Sequence, residues 1–367
     1  MNTNKVRDLL AYFQEFVPFQ YQESYDNSGL LVGDPNMEIK GVLCSLDCTE
    51  NVIEDAIAQG CNIIVSHHPI LFRGIKSLTG KNYIERTLIK AIKNDIALIA
   101  VHTNVDNYRF GVNHIIANKL NLLNQQILVP KQGNLLKLAV FVPCSHSNEL
   151  LEALANVGAG KIGNYDSCSF STEGTGRFRP LENSNAFIGS VNQLEAVDEV
   201  KVEVIFETQL LSKVIQAMNS AHPYEEIAHD IVPLNNANNY VGSGMIGDLE
   251  HEIEVEEFLK TIKSTFKAGV VRYTKSDKSK IKRVAVCGGS GSFLLNDAKR
   301  NGADLYLTAD FKYHEFFDSE NQIIIADIGH FESEQYIVDW FVTFISNKFP
   351  NFAVRLTSVN TNPINYI

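Results

Sequence analysis

The feature that most constrains this chain is a rhythm of short apolar, strand-like runs, each followed by a helical segment, and it occurs twice. In the first series GVLCSLD (41–47), CNIIVS (61–66) and IALIAVHT (96–103) alternate with the helix-like TENVIEDAIAQG, YIERTLIKAIKND and GVNHIIANKL. Gly60 stands where a helix C-cap is expected. Near the C-terminus RVAVCGGSG (283–291), SFLLNDAKRNG, ADLYLTAD (303–310), NQIIIADIGH (321–330) and a long final helix repeat the pattern. Continuous apolar strands separated by helices belong to βα units around a largely parallel sheet. The stretch from Cys44 to Gly60 ahead of CNIIVSHH can be laid over that from Cys287 to Gly302 ahead of ADLYLTAD. An internal duplication would put the ends of those two strands at related places, and ligands of open α/β sheets gather at the carboxyl ends of strands.

Between the two series the pattern changes. KLAVFVP, SNELLEALANVG, the glycine-rich pieces IGNYDSCSF and GTGRFRP, VKVEVIFE, QLLSKVIQAMNSAH and EEIAHDIVPL follow in turn. This is the strand–helix–strand–strand–helix–strand order of the split βαβ, or ferredoxin-like, unit. A chain of 367 residues is long for one domain. The expected fold is a discontinuous two-lobed α/β body, residues 1–129 and 244–367, with an inserted ferredoxin-like α+β domain at 130–243.

Charge and cysteine usage narrow the function. With 43 Asp and Glu against 32 Lys and Arg, the net charge is −11, which argues against a nucleic-acid binder working through a broad basic face. The one basic cluster, KSKIKR (278–283), reads as a solvated loop or a phosphate-contacting patch. The N-terminus has no signal-peptide core and no apolar run approaches membrane-spanning length, so a cytoplasmic protein is expected. Six scattered cysteines without a CxxC pair read as buried free thiols.

Four strand ends carry unusual polar residues. CNIIVS runs into His67 and His68; IALIAV into His102, Thr103, Asn104 and Asp106; ADLYLTAD into Asp310, His314 and Glu315; NQIIIAD into His330, Glu332 and Glu334. Neighbouring residues of a regular strand point to opposite faces, so His67 and His68 serve one site only if the chain turns there; otherwise they are core histidines. Pro69 favours such a turn. His330 and Glu334, four apart, share one helix face and could grip one ion, whereas Glu332 faces elsewhere. Singly, each has a plainer reading, such as a turn carboxylate for Asp106. Together, three imidazoles and two carboxylates following strands of a single expected sheet are about what two divalent ions need when a carboxylate bridges them.

SHHP, HTNVD, TADFKYHE, GHFESE and the N-terminal DNSGLLVGD (26–34) resemble the Nif-three-like dinuclear-metal family, often labelled GTP cyclohydrolase 1 type 2 homologs. The resemblance spans about 1–128 and 244–367. GAGKIGNYDSCSF (158–170), GTGRFRP and HPYEE (222–226) resemble the PII/CutA-like insert of its longer bacterial members. It implies metal ligands at His67, His68, Asp106, His330 and Glu334, with Asp106 and Glu334 as candidate bridges and two divalent ions (zinc, manganese, iron or nickel) as cofactor. It implies Asp310 and His314 beside the metals, with His314 as candidate general acid or base, and a toroidal homohexamer with sites facing an internal cavity. Ala309 stands where the family commonly has glycine.

The leading expectation is a two-metal hydrolase of a nucleotide or other small phosphorylated or heterocyclic compound. The alternative is a ring-shaped metal-binding regulatory protein without turnover. CGGSGS (287–292) either touches a substrate phosphate or makes a tight strand–helix turn; it lacks the third glycine of a dinucleotide fingerprint.

Overall fold

The computed structural model describes residues 4–367. In chain order the strands are β1 (Gly29–Val32), β2 (Gly41–Ser45), β3 (Ile63–Ser66), β4 (Ala97–Ala100) and β5 (Leu123–Lys131). There follow β6 (Leu135–Pro143), β7 (Phe170–Phe178), β8 (Glu195–Glu207), β9 (His229–Leu234) and β10 (Asn238–Glu254). The last are β11 (Arg272–Tyr273), β12 (Lys280–Ser290), β13 (Leu305–Ala309), β14 (Ile324–Asp327) and β15 (Ala353–Leu356). Two compact units result: the chain up to Pro130 together with Tyr240–Ile367, and Lys131–Asn239. No helix among the described residues is long and apolar enough to cross a membrane.

The larger unit holds two sheets, not the single sheet expected from the sequence. One has the order β1-β4-β3-β2-β15, the other β11-β14-β13-β12-β10-β5. The cause is that each βα series builds its own parallel run, while β15 joins the first sheet and β5 the second. β2, β3 and β4 pair in parallel, as do β12, β13 and β14, and an antiparallel strand, β1 or β11, closes each set beyond its third member. Every residue of β2, β3, β4, β13 and β14 is buried, which explains their continuous apolar runs.

Val42, Ile63 and Ala97 of one sheet and Val284, Leu305 and Ile324 of the other share a core with Phe13, Phe258 and Phe341 from helices. On the far face of the first sheet Leu43, Ile64 and Leu98 pack with Val52 and Ile53 of the helix Glu50–Ala58 and Leu88 of the helix Tyr83–Lys93. Ala285, Tyr306 and Ile325 of the second pack with Leu294 and Leu295. The long final helix expected from the sequence is in two pieces, His330–Glu334 and Ile337–Lys348. All six cysteines are free; Cys44, Cys48, Cys61 and Cys287 are buried, while Cys144 is exposed and Cys168 half-buried.

The smaller unit is one antiparallel sheet of order β7-β8-β6-β9. Leu138, Val140, Val202 and Val204 pack one of its faces against Leu150 and Leu154 of the helix Ser147–Asn156 and Val214 and Met218 of the helix Leu211–Ala221.

Candidate metal centre

β3 ends at Ser66, but its backbone stays tied to the strand beside it: the His67 N–H donates to Ser45 O (3.2 Å) and the His68 N–H to Leu46 O (2.9 Å). The chain bends at both histidines, and the Ser66 hydroxyl donates to His68 O (2.9 Å). That bend defeats the alternation of a regular strand. Both rings turn to one side, their centroids 4.8 Å apart.

His67 is fully buried and its Nδ1 lies 3.0 Å from Val101 O, so the ring donates to a carbonyl and leaves a bare lone pair on Nε2. His68 Nδ1 meets Asp47 Oδ1 at 2.7 Å, and its Nε2 lies 2.9 Å from Glu334 Oε2. From the other sheet, His330 opens the short helix after β14. Its Nδ1 meets Asp310 Oδ2 at 2.7 Å, and its Nε2 lies 3.2 Å from His68 Nε2 and 3.1 Å from Glu334 Oε2. A carboxylate on Nδ1 fixes the ring and turns the basic Nε2 inward, the usual support of a metal-binding histidine.

Of three overlapping donor groups, two share Glu334. His68, His330 and Glu334 make one; His67, Asp106 and Glu334 make the other; in each, ligand atoms lie within 4.8 Å of one another. Glu334 is common to both. Room for it comes from Gly289, where an added Cβ would fall 2.3 Å from Glu334 Oε1 and where φ is +62°. The buried Asp327 accepts from the Phe311 and Gly329 N–H groups, tying together the loops that carry Asp310 and His330.

These donors fit a cation. His67 Nε2 and Asp106 Oδ1 are buried, have no hydrogen-bond partner and face each other at 3.6 Å, too far for a hydrogen bond. Burial, and then the charge of Glu334, push the Asp106 carboxyl up to about 7. Burial opposes the charged form of His330, but Glu334 and Asp310 outweigh it and raise that ring to about 11; the same balance with Asp47 and Glu334 raises His68 to about 9. Glu334, although buried, is held well below the usual carboxylate range chiefly by His330. Carboxylates this close demand positive charge, which protons supply when no metal does.

The structure thus brings His67, His68, Asp106, His330 and Glu334 together and sets Asp310 behind His330. His314 belongs to none of the donor groups among the described residues. Asp310 adopts a left-handed φ of +59°, and the 3₁₀ turn Tyr313–Ser319 leaves His314 exposed against the rings of Tyr313 and Phe317. Three supporting residues had no role assigned from sequence. Asp47 holds His68, and Asp26 Oδ1 meets His102 Nδ1 at 2.8 Å. His102 also forms a donor group with His67 and His68. The available signal was an acidic residue closing an apolar strand, as in GVLCSLD.

His68, His102, Asp106, His330 and Glu334 line a cavity of about 1030 Å³ within the larger unit. An α/β body built of two parallel-strand sheets, with a His–carboxylate cluster drawn from both, defines a candidate metal-binding protein. Residues 4–363 match the family model Duf34/NIF3 (NGG1p interacting factor 3), and the chain belongs to that family. It is 36% identical over 368 residues to a Staphylococcus aureus protein named GTP cyclohydrolase 1 type 2 homolog, covering 99% of this chain and 100% of the relative. A relative of the same name from Halalkalibacterium halodurans is 38% identical over 364 residues, 98% of each chain. Among solved structures, a Bacillus cereus protein related to NIF3 superposes with a TM-score of 0.88 at 36% identity over 100% of both chains. A Staphylococcus aureus protein does so with 0.80 at 33%, again over 100% of both.

Proposed function

We propose that this protein holds a pair of divalent metal ions through His67, His68, Asp106, His330 and Glu334 and hydrolyses a nucleotide or another small phosphorylated or heterocyclic compound. One observation carries the reading: Glu334 belongs to both donor groups, while the buried lone pairs of His67 and Asp106 face each other without a partner. Of the two candidate bridges, Glu334 is the better supported. A His–carboxylate set suits zinc, manganese, iron or nickel. When bound, such a pair lowers the pKa of water towards neutrality and polarises the bond to be cleaved.

The chain's own residues prepare that chemistry. Asp47 and Asp310 hold the Nδ1 protons of His68 and His330, so both Nε2 atoms stay aimed at the cluster. Asp310 is therefore a positioning residue. The cavity over the cluster binds and orients the substrate, and the relatives' name points to a purine nucleotide as one candidate. We also infer that the smaller unit is a ferredoxin-like, PII/CutA-like insert, supported by its strand order, and that the protein assembles into a toroidal homohexamer, an inference from the family resemblance.

The test is metal content per chain on untagged protein beside a His68→Ala/Glu334→Ala double variant. About two ions per chain, lost in the variant, with turnover of nucleotides or phosphoesters by the loaded protein, is the expected result. No bound metal after reconstitution with zinc, manganese and iron would overturn the reading. Metal without turnover would leave a metal-binding regulatory protein.

A further inference from the structure

We propose that the cavity beside the cluster recognises a flat heterocycle carrying no more than one phosphate and disfavours a nucleoside triphosphate, an inference that rests on the metal-pair reading above for the cavity's charge. Four large aromatic side chains line it and remain well exposed: Tyr25 (67%), Phe72 (51%), Tyr83 (58%) and Phe293 (65%). Exposed rings gathered on one concave surface signal a ligand face, and an aromatic ring is a stacking platform for any base. Phe72 stands edge-on to His102, with centroids 5.5 Å apart and planes at 87°, which ties one platform to the metal cluster. The volume, about 1030 Å³, is ample for a mononucleotide-sized ligand.

The charged groups argue against a polyphosphate. Arg73 is the only lysine or arginine among the described residues that line the cavity. Besides the ligands Asp106 and Glu334, three further carboxylates line it: Glu23, Asp47 and Glu85. Asp47 is engaged by His68 and Thr361, and Glu85 accepts from the Thr79 and Lys81 N–H groups, which hold its carboxyl below the usual range. Two divalent ions and Arg73 would bring five positive charges against those five carboxylates. A cavity so balanced has a place for one anionic group and no surplus for the several charges of a triphosphate.

The glycine stretch 288–291 reaches the cavity at Gly288 and Ser290, and its glycines have a packing role. An added Cβ at Gly288 would fall 2.5 Å from Val112 Cγ1, and at Gly289 2.3 Å from Glu334 Oε1. Close packing therefore accounts for both glycines, and the helix that follows, Leu295–Arg300, has six residues.

The experiment titrates full-length, metal-loaded protein into 2-aminopurine riboside, its 5′-monophosphate and its 5′-triphosphate, following fluorescence quenching, with metal content measured in the same samples. The riboside and monophosphate are expected to bind at least about tenfold more tightly than the triphosphate, which is about 1.4 kcal/mol. Phe72→Leu and Phe293→Leu should each weaken riboside binding at least about fivefold, the lower end of what one stacked base contributes. Arg73→Gln should weaken the monophosphate alone. A triphosphate that binds as tightly as the monophosphate, absence of quenching by all three, or quenching indifferent to both ring variants would overturn the proposal. Metal content separates the two readings. Protein that takes up no metal sinks the hydrolase reading and, with it, the charge balance argued here; metal-loaded protein that quenches none of the probes sinks this inference alone.

Discussion

The two sheets of the larger unit share a four-strand core and differ in what they carry at their strand ends. Each contains a parallel run, β2–β4 or β12–β14, with an antiparallel strand beyond its third member; on the other side β15 joins β2 in parallel, whereas β10 joins β12 antiparallel. After the third strand each places a histidine and a carboxylate four residues apart, His102 and Asp106 in one, His330 and Glu334 in the other. Each of these histidines has a carboxylate on Nδ1, Asp26 at 2.8 Å and Asp310 at 2.7 Å. The second strands differ: β3 leads to His67 and His68, β13 to Asp310. So do the first: β2 leads to Asp47, whereas β12 ends with the glycines that let Glu334 approach. A repeated scaffold thus offers paired donor positions, and unequal side chains decide that the longer carboxylate, Glu334, is shared while Asp106 faces only His67 within its group's ion-pair range.

The largest expected effect tests that inequality. Glu334→Ala should lose both ions and Asp106→Ala only one, read as metal per chain after equilibrium dialysis. Equal losses would mean that both carboxylates bridge, and the asymmetry would be withdrawn. Next in size are the supporting carboxylates. Asp310→Asn should weaken metal binding about 10–100-fold, the usual cost of losing a partner behind a ligating histidine. Asp26→Asn, behind a histidine outside the five-residue set, should leave metal affinity unchanged. A comparable loss in Asp26→Asn would make His102 a sixth donor and the halves more alike than proposed.

Much of this was legible in the sequence, for reasons visible in particular residues. Strands buried on both faces, such as Ile63–Ser66 and Leu305–Ala309, leave continuous apolar runs, and helices such as Glu50–Ala58 carry their caps with them. The five donors stood out because imidazoles and carboxylates closed several such runs. The division into two sheets did not, since an apolar run does not name its neighbours, and β11 is only two residues long. Asp26 and His102 lie 76 residues apart, Asp47 and His68 lie 21 apart, and a contact that distant has no local signature. Nearness of His314 to Asp310 in sequence likewise says nothing of a left-handed residue followed by a 3₁₀ turn.

The smallest expected effect lies at the base of the two second strands. Asn62, before β3, donates its N–H to Gly41 O and accepts on Oδ1 from the Lys40 N–H (2.8 Å). Asp304, before β13, donates to Arg283 O and accepts on Oδ2 from the Lys282 (3.0 Å) and Arg283 (2.9 Å) N–H groups. The same brace is neutral in one half and charged in the other, where Lys278 Nζ adds a contact at 2.6 Å. Burial works against the Asp304 carboxylate, but these donors win and lower its pKa. A carboxyl lowered on folding contributes stability in full above its unfolded value and loses it as pH falls through the folded one. Asp304→Asn should therefore destabilise metal-free protein by about 0.5–1 kcal/mol at pH 7, after allowance for solvent screening of a partly exposed group. The deficit should begin to fade as pH falls below about 4 and disappear below the lowered pKa of Asp304, where both side chains are neutral. Asn62→Ala should cost the same at every pH. Thermal midpoints of each variant against the parent between pH 7 and 3 decide it: a deficit for Asp304→Asn that persists undiminished at pH 3 would show that the brace acts through shape alone, and that charge does not distinguish the two halves there.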